Sequence, residues 1–309
     1  MKSSTKEPTK ESEKPLGLPV ELAKKIKMFE IHSRKLLVSG FAGEYKSVFR
    51  GRGMEFDEVR PYTAGDDIRL IDWNVSARTG ELYIKKHIEE REQTVLLIVD
   101  LSKSGDFTTA KRTKKEIAAE ICCILGFAAA TNNDRVGLLL FTDKVEKYVP
   151  PQRGLKHALR IVRDLLLVEP TSEKTNISCA LTYLNNIFRR PAVIFLVSDF
   201  LDQGFQKALK VSSYRHDLVA IRLTDLREKN LPNLGLIEIA DLETNEKLLV
   251  DTSSKLFQLN FLKQITEERV FLQKLFAQLS IDYVELTTNE TYDASLRRLF
   301  ALRSRRLSK

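Results

Sequence analysis

The sequence predicts an α/β fold, a mostly parallel sheet flanked by helices, with a mixed α/β elaboration at its N-terminal side. Two continuous apolar runs, Val95–Val99 and Ala192–Val197, lead into carboxylates at Asp100 and Asp199, as strands buried on both faces of a sheet do. Segments with helical periodicity alternate with further apolar strands, the rhythm of βαβ units. The chain of 309 residues, 43% apolar and 30% charged, is long enough to bury about three quarters of its unfolded surface.

The elements follow in order. Residues 1–15 mix Lys, Glu, Ser, Thr and Pro without an apolar core, which predicts a disordered tail and no secretory signal. Residues 16–93 open with a helical pattern near Leu22–Leu37 and continue as short segments rich in Gly, Arg, Asp and Glu; Glu81–Glu89 alternates in part, like a strand. The main domain is expected over 94–290. Thr94–Leu101 is its first strand, and a helix over 109–131 places Ile117, Ile121, Ile124, Leu125 and Ala128 on one face. Arg135–Phe141 and Val145–Val149 read as a hairpin, and two helices follow through Leu155–Leu166 and Ile177–Phe188. Ala192–Ser198 and Leu218–Leu223 are the next strands. A hairpin insertion at about 232–252 (Leu234–Ala240, Lys247–Asp251) interrupts the alternation. A long helix through Leu262, Phe271, Leu275 and Leu279, the strand Ile281–Leu286 and a basic helix or tail over 291–309 complete the chain.

Composition narrows the setting. Cys122 and Cys123 are adjacent within a helical pattern and Cys179 stands alone, which offers neither a disulfide framework nor a zinc spacing and suits a reducing compartment. No run approaches the ~20 apolar residues of a membrane helix. A cytoplasmic protein is therefore expected. Of the net charge of +8, six units lie in residues 297–309, which hold five Arg, one Lys and no acid. This end reads as a solvated helix terminus whose cations complement the helix dipole. Nucleic acid is disfavoured as a partner, and peripheral contact with an anionic membrane is the other use such an end could have.

Three separated motifs carry chemistry. Side chains two apart on an extended segment point the same way, so Asp100, Ser102 and Ser104 can converge just beyond their strand. One carboxylate beside two neutral hydroxyls suits a hard divalent ion and leaves it short of negative charge. Thr175-Asn176 precedes a helix, where either residue can serve as N-cap. Asp199 ends a later strand. The order Asp-x-Ser-x-Ser, Thr, Asp resembles the metal-ion-dependent adhesion site of von Willebrand factor A domains. That resemblance implies Asp100, Ser102, Ser104 and Thr175 as direct or water-bridged ligands of Mg²⁺ (or Mn²⁺ or Ca²⁺), with Asp199 acting through water. The remaining coordination position would take an acidic side chain from a partner.

Residues 43–93 add Gly43-Glu44-Tyr45, Phe49-Arg50-Gly51-Arg52-Gly53-Met54-Glu55-Phe56, Val59-Arg60-Pro61-Tyr62, Gly65-Asp66-Asp67-Ile68-Arg69 and Ile71-Asp72-Trp73-Asn74. This block resembles the bacterial family catalogued as domain of unknown function 58, whose members precede a von Willebrand A-like domain with it. The resemblance implies a non-enzymatic adaptor or co-chaperone for a MoxR-type AAA+ ATPase, acting on a protein client in the assembly or maturation of complexes. Within the block, the alternating Arg and acidic residues suit an internal ion-pair network. A recognition face with Arg52, Tyr62 and Trp73 as contacts is the second reading of the same residues.

Enzyme chemistries fit less well. There is no G-x-x-x-x-G-K-[ST] phosphate cradle and no G-x-S-x-G nucleophile elbow. A haloacid-dehalogenase-like phosphatase could use Asp100 as nucleophile with Asp199 and Asp202 on a metal, but Ser102 stands where that chemistry needs a general acid. The phosphatase and a metal-independent interaction scaffold are the two alternatives.

Overall fold

The computed structural model describes residues 19–49, 55–88, 92–106, 112–240 and 247–307. The expected disordered tail and Arg52 lie outside them. A six-stranded sheet forms the centre, in the order β10-β7-β6-β3-β4-β5. Its strands are β3 (Thr94–Asp100), β4 (Arg135–Phe141), β5 (Val145–Gln152), β6 (Val193–Ser198), β7 (Asp217–Thr224) and β10 (Asp282–Thr287). All neighbours are parallel except β4 and β5, which form an antiparallel edge hairpin. This is a von Willebrand factor A-like arrangement, with the first strand of the sheet near its middle.

Helices cover both faces. α4 (Lys114–Thr131), α5 (Leu155–Leu167) and α10 (Asp293–Leu307) pack on one side, and α6 (Ile177–Ile187), α7 (Gln206–Arg215) and α9 (Lys255–Gln278) on the other. The alternation of β3 explains the sandwich. Val95, Leu97 and Val99 enter the first core, whereas Leu96 and Ile98 enter the second. A strand apolar at every position therefore has both faces buried. α4 is buried nearly all round, its Cys122 and Cys123 included; burial pushes the Cys123 thiol up to about 12, which keeps it unreactive.

α1 (Val20–Leu36) passes through a kinked turn with Gly40 at φ 99° into α2 (Ala42–Val48). Phe29, Leu36, Phe41 and Tyr45 join the first core. His32 Nδ1 lies 2.6 Å from Glu120 Oε1 on α4, and Arg297 of α10 pairs with Glu44 of α2. β1 (Glu55–Pro61) and β2 (Tyr83–Ile88) pair antiparallel, with α3 (Trp73–Thr79) between them in sequence. Arg60 holds Asp66 with two hydrogen bonds, 2.9 and 2.7 Å, which braces the turn after β1. β8 (Leu236–Ala240) and β9 (Lys247–Asp251) form the hairpin insertion, preceded by the short α8 (Leu226–Lys229).

The long helix falls where the sequence places it, with Leu275 and Leu279 packed against the second core. Leu262 and Phe271 are about half exposed, and the residues that α9 buries are Leu272 and Phe276. Apolar residues lie on every side of this helix, so periodicity selects no face, and only its C-terminal part overlies the sheet.

Candidate metal centre

β3 runs into α4 on one face of the sheet and β6 into α7 on the other. The crevice between their carboxyl ends is thus a topological switch point, where open α/β sheets bind ligands. Asp100 is the last residue of β3 and Asp199 follows the last residue of β6.

The loop beyond β3 folds back on Asp100. Its Oδ1 accepts from Ser102 N at 2.9 Å, and its Oδ2 accepts from Ser198 Oγ at 2.7 Å. The Ser102 and Ser104 hydroxyls stand 2.9 Å apart. Asp100, Ser102, Ser104, Ser198, Asp199 and Lys114 line one cavity of about 20 Å³. That is room for one water or one small ion. Burial, and then the charge of Asp199, push the Asp100 carboxyl up to about 7. Two carboxylates thus converge with too little positive charge at Asp100. The groups beside Asp100 are the oxygens of Ser102, Ser104 and Ser198, a set that fits a hard divalent cation, while the Lys114 ammonium stands on the Asp199 side of the same cavity.

Thr175 stands apart from the cavity's lining. It lies in the loop that leads into α6, and that loop is latched to the Ser102–Ser104 turn. Lys103 N donates to Glu173 O at 3.1 Å, and Lys103 Nζ to Glu173 Oε1 at 2.7 Å. Asn176, not Thr175, caps α6, its Oδ1 accepting from Cys179 N at 2.9 Å. Asp202 directs its carboxylate to backbone donors, Ile177 N at 2.8 Å and Gln203 N at 2.7 Å. Of the other candidates, Trp73 is 65% exposed at the start of α3, and Tyr62 is partly buried.

Sequence reasoning missed Lys114. It is the first residue of α4 and 3% exposed, and its Nζ donates to Asp199 Oδ2 at 3.2 Å and to Glu228 Oε1 at 2.6 Å. Burial alone would depress the ammonium, yet the charges of Asp199 and Glu228 leave its pKa raised. It stands 85 residues before Asp199, and no local pattern announces such a pairing. Ser198 was missed as well, although a hydroxyl at the end of an apolar strand beside Asp199 is a signal that could have found it. The next residue, Phe200, holds φ at 59°, a left-handed conformation rare for an aromatic, and its N–H donates to Ser198 Oγ at 3.1 Å. Arg222 Nε donates to Asp199 O at 3.1 Å and pairs with Glu268, which fixes this turn from the next strand. A second cavity of about 280 Å³ shares Asp199 and runs past Leu201, Arg222 and Leu262 toward α9.

The family described as "Protein of unknown function DUF58" matches residues 58–271. The chain belongs to that family. Asp100, Ser102, Ser104, Lys114, Thr175 and Asp199 all fall inside the segment the family shares. The chain is similar to Uncharacterized protein Mb1516 of Mycobacterium bovis, 29% identical over 227 residues that cover 72% of each chain. Among solved structures it is similar to conserved hypothetical protein BatB from Bacteroides thetaiotaomicron, at 14% identity and TM-score 0.44, over 69% of this chain and 99% of that one. An aerotolerance-related membrane protein from Bacteroides fragilis matches at 15% identity and TM-score 0.46, with the same coverage. Among the described residues of this DUF58 chain, no helix is long and apolar enough to cross a membrane.

Proposed function

We propose that this chain is a non-enzymatic, divalent-cation-dependent protein-binding adaptor or co-chaperone that works in the cytoplasm with a MoxR-type AAA+ ATPase. The observation that carries the reading is the meeting of Asp100, Ser102, Ser104 and Asp199 around one ion-sized cavity at the switch point of the sheet. Asp100, Ser102 and Ser104 would hold Mg²⁺ (or Mn²⁺ or Ca²⁺), Asp199 through water, and Thr175 from the latched loop. The bound cation supplies an electrophilic position that a client's Asp or Glu can fill. The protein's own groups fix the receptor: Ser198 and the Ser102 N–H orient the Asp100 carboxylate, and the Glu173 latch holds the loop that bears Thr175. Exposed Trp73, with Tyr62 and Arg52 nearby in sequence, is the second contact proposed for the ATPase or client. The ATPase itself is suggested by the family resemblance.

Calorimetric titration of Mg²⁺ into the wild type and Asp100→Ala tests the centre. A saturable heat in the wild type and none in the variant is expected; equal heats would remove the metal from the account. The scaffold alternative draws on Lys114, which already neutralises Asp199 without a metal. It predicts client capture that survives chelation. Copurification of the ATPase with the wild type, and its loss with Trp73→Ala, tests the partnership.

A further inference from the structure

We infer that Glu146, on the edge strand β5, is the positioning residue that fixes where Thr175 stands relative to the proposed ion; this rests on the divalent-cation reading above. A β-bulge presents it. In the β4–β5 hairpin Leu140 faces Lys147 and Phe141 faces Val145, so Glu146 is the extra residue, without an opposite number on β4. A bulge beside a functional site re-aims a side chain. This one delivers the Glu146 carboxylate to the loop between α5 and α6, the loop that bears Thr175.

The carboxylate gathers donors from two segments. Its Oε1 accepts from Thr142 Oγ1 at 2.7 Å, from Thr171 N at 3.0 Å and from Thr171 Oγ1 at 2.9 Å, and its Oε2 lies 2.8 Å from the same Thr171 hydroxyl. Burial works against its charge, yet the bonds from Thr142 and Thr171 and the charge of Lys144 leave its pKa lowered. An ionised carboxylate only accepts, and bonds to it are of the stronger, charge-assisted kind.

Thr142 passes this hold toward the site. It is fully buried and follows Phe141, the neighbour of Asp100 in the sheet. Its carbonyl accepts from Asn176 N at 3.0 Å, one residue beyond Thr175. The loop is therefore tied to the β4–β5 turn at both Thr171 and Asn176, and between them to the Ser102–Ser104 turn through Lys103 and Glu173. The Lys103–Glu173 side-chain pair is half exposed at Glu173, where an ion pair is weak. The Glu146 node is the stronger tie. A group that serves a bound ion must be held to within about 0.5 Å of its working place. A connection running from residue 168 to 176 does not supply that precision without such ties.

A double-mutant cycle read by calorimetric titration of Mg²⁺ into the full chain tests this, with wild type, Glu146→Ala, Thr175→Ala and the double variant. Glu146→Ala should weaken Mg²⁺ about fivefold or more in the wild-type background, and less than about twofold once Thr175 is alanine, because its effect passes through that hydroxyl. Glu146→Gln keeps an acceptor for Thr142 and Thr171 and should stay within about twofold of wild type. Should Glu146→Ala fail to fold, Thr171→Val at an exposed position takes its place in the cycle, with a loss of about threefold expected. Equal losses in the two backgrounds would make Glu146 a brace of the fold alone and overturn the inference. Unchanged affinity in the Glu146 or Thr171 variant would overturn it too, while loss of the heat in Asp100→Ala would leave the cation reading standing. A wild type without saturable heat ends both.

Discussion

Replacing Lys114 by Met should tighten Mg²⁺ binding. The ammonium lies 3.2 Å from Asp199 Oδ2 inside the cavity proposed for the ion, and both side chains are almost wholly buried. A divalent ion joined to Asp199 through water would stand ~6 Å from that ammonium. At an effective dielectric of about 20, their repulsion is about 5 kcal/mol. Water entry and movement of Glu228 offset much of this when the ammonium is gone, so the expectation is a gain of at least tenfold, about 1.4 kcal/mol. Without metal the same change should destabilise the fold by about 3–5 kcal/mol, because it leaves Asp199 buried and unpaired. Saturating Mg²⁺ should restore part of that loss. The assay is calorimetric titration at fixed ionic strength on wild type, Lys114→Met, Lys114→Arg and Asp100→Ala. Lys114→Arg keeps the charge and should stay within a few-fold of wild type. An affinity in Lys114→Met equal to or weaker than wild type would refute the electrostatic argument.

Other expectations concern the frame around the site. Gly137→Ala would set a Cβ 2.8 Å from the Leu96 side chain, 2.9 Å from Pro151 and 3.0 Å from Val149 O, so the urea midpoint should fall by the equivalent of about 1–3 kcal/mol with Mg²⁺ affinity unchanged. Arg303→Met removes a buried guanidinium that pairs with Asp217 and Asp282 and sits 4.5 Å from the centre of the Phe49 ring; a loss of about 3 kcal/mol is expected, at the low end for a broken buried pair because Asp217 stays partly solvated. Exposed Arg305→Ala should leave stability unchanged, and a similar loss from both would sink the distinction. Burial lowers the pKa of His157 and of His216, so in the folded state both stay neutral below the ordinary value of about 6.5. The unfolded chain then binds more protons, and their contribution to stability is complete above about pH 6.5 and declines as the pH falls below it. Urea midpoints from pH 8 to 5.5 should show a shallower decline in a His157→Gln, His216→Gln double variant; parallel curves would exclude these histidines as the cause.

What could be read from the sequence depended on how local its physics is. β3 and β6 were legible because a strand buried on both faces must be apolar at consecutive positions, and Asp100, Ser102 and Ser104 because alternation along the chain is itself a geometry. The cap at Asn176 left two readings open, since Thr175 and Asn176 have the same chemistry and only the backbone decides between them. The buried face of α9 resisted because leucines and phenylalanines surround the helix, and which of them are buried depends on where the sheet ends. Lys114 resisted for a different reason. A lysine at the start of a helix is ordinarily solvated, and its partners here lie 85 and 114 residues farther on. Likewise the basic C-terminal segment read as solvated, yet Arg303 turns inward to two carboxylates.

The placement of Lys114 bears on how a cation site of this kind could be conditional. A cavity with two uncompensated carboxylates would hold a divalent ion permanently and leave it little appetite for a third. Here one carboxylate, Asp199, already shares an ammonium with Glu228, while Asp100 carries the surplus charge and the serine hydroxyls add none. On the proposed reading, an ion entering beside Asp100 would remain undercompensated and loosely held until a carboxylate arrives from outside. Ion and client would then each raise the affinity of the other by the same factor, since coupling free energy is reciprocal. Weak metal binding by the isolated chain, with a strong metal requirement for client capture, is therefore the signature this charge arrangement demands. Tight metal binding with client capture indifferent to chelation would be its opposite.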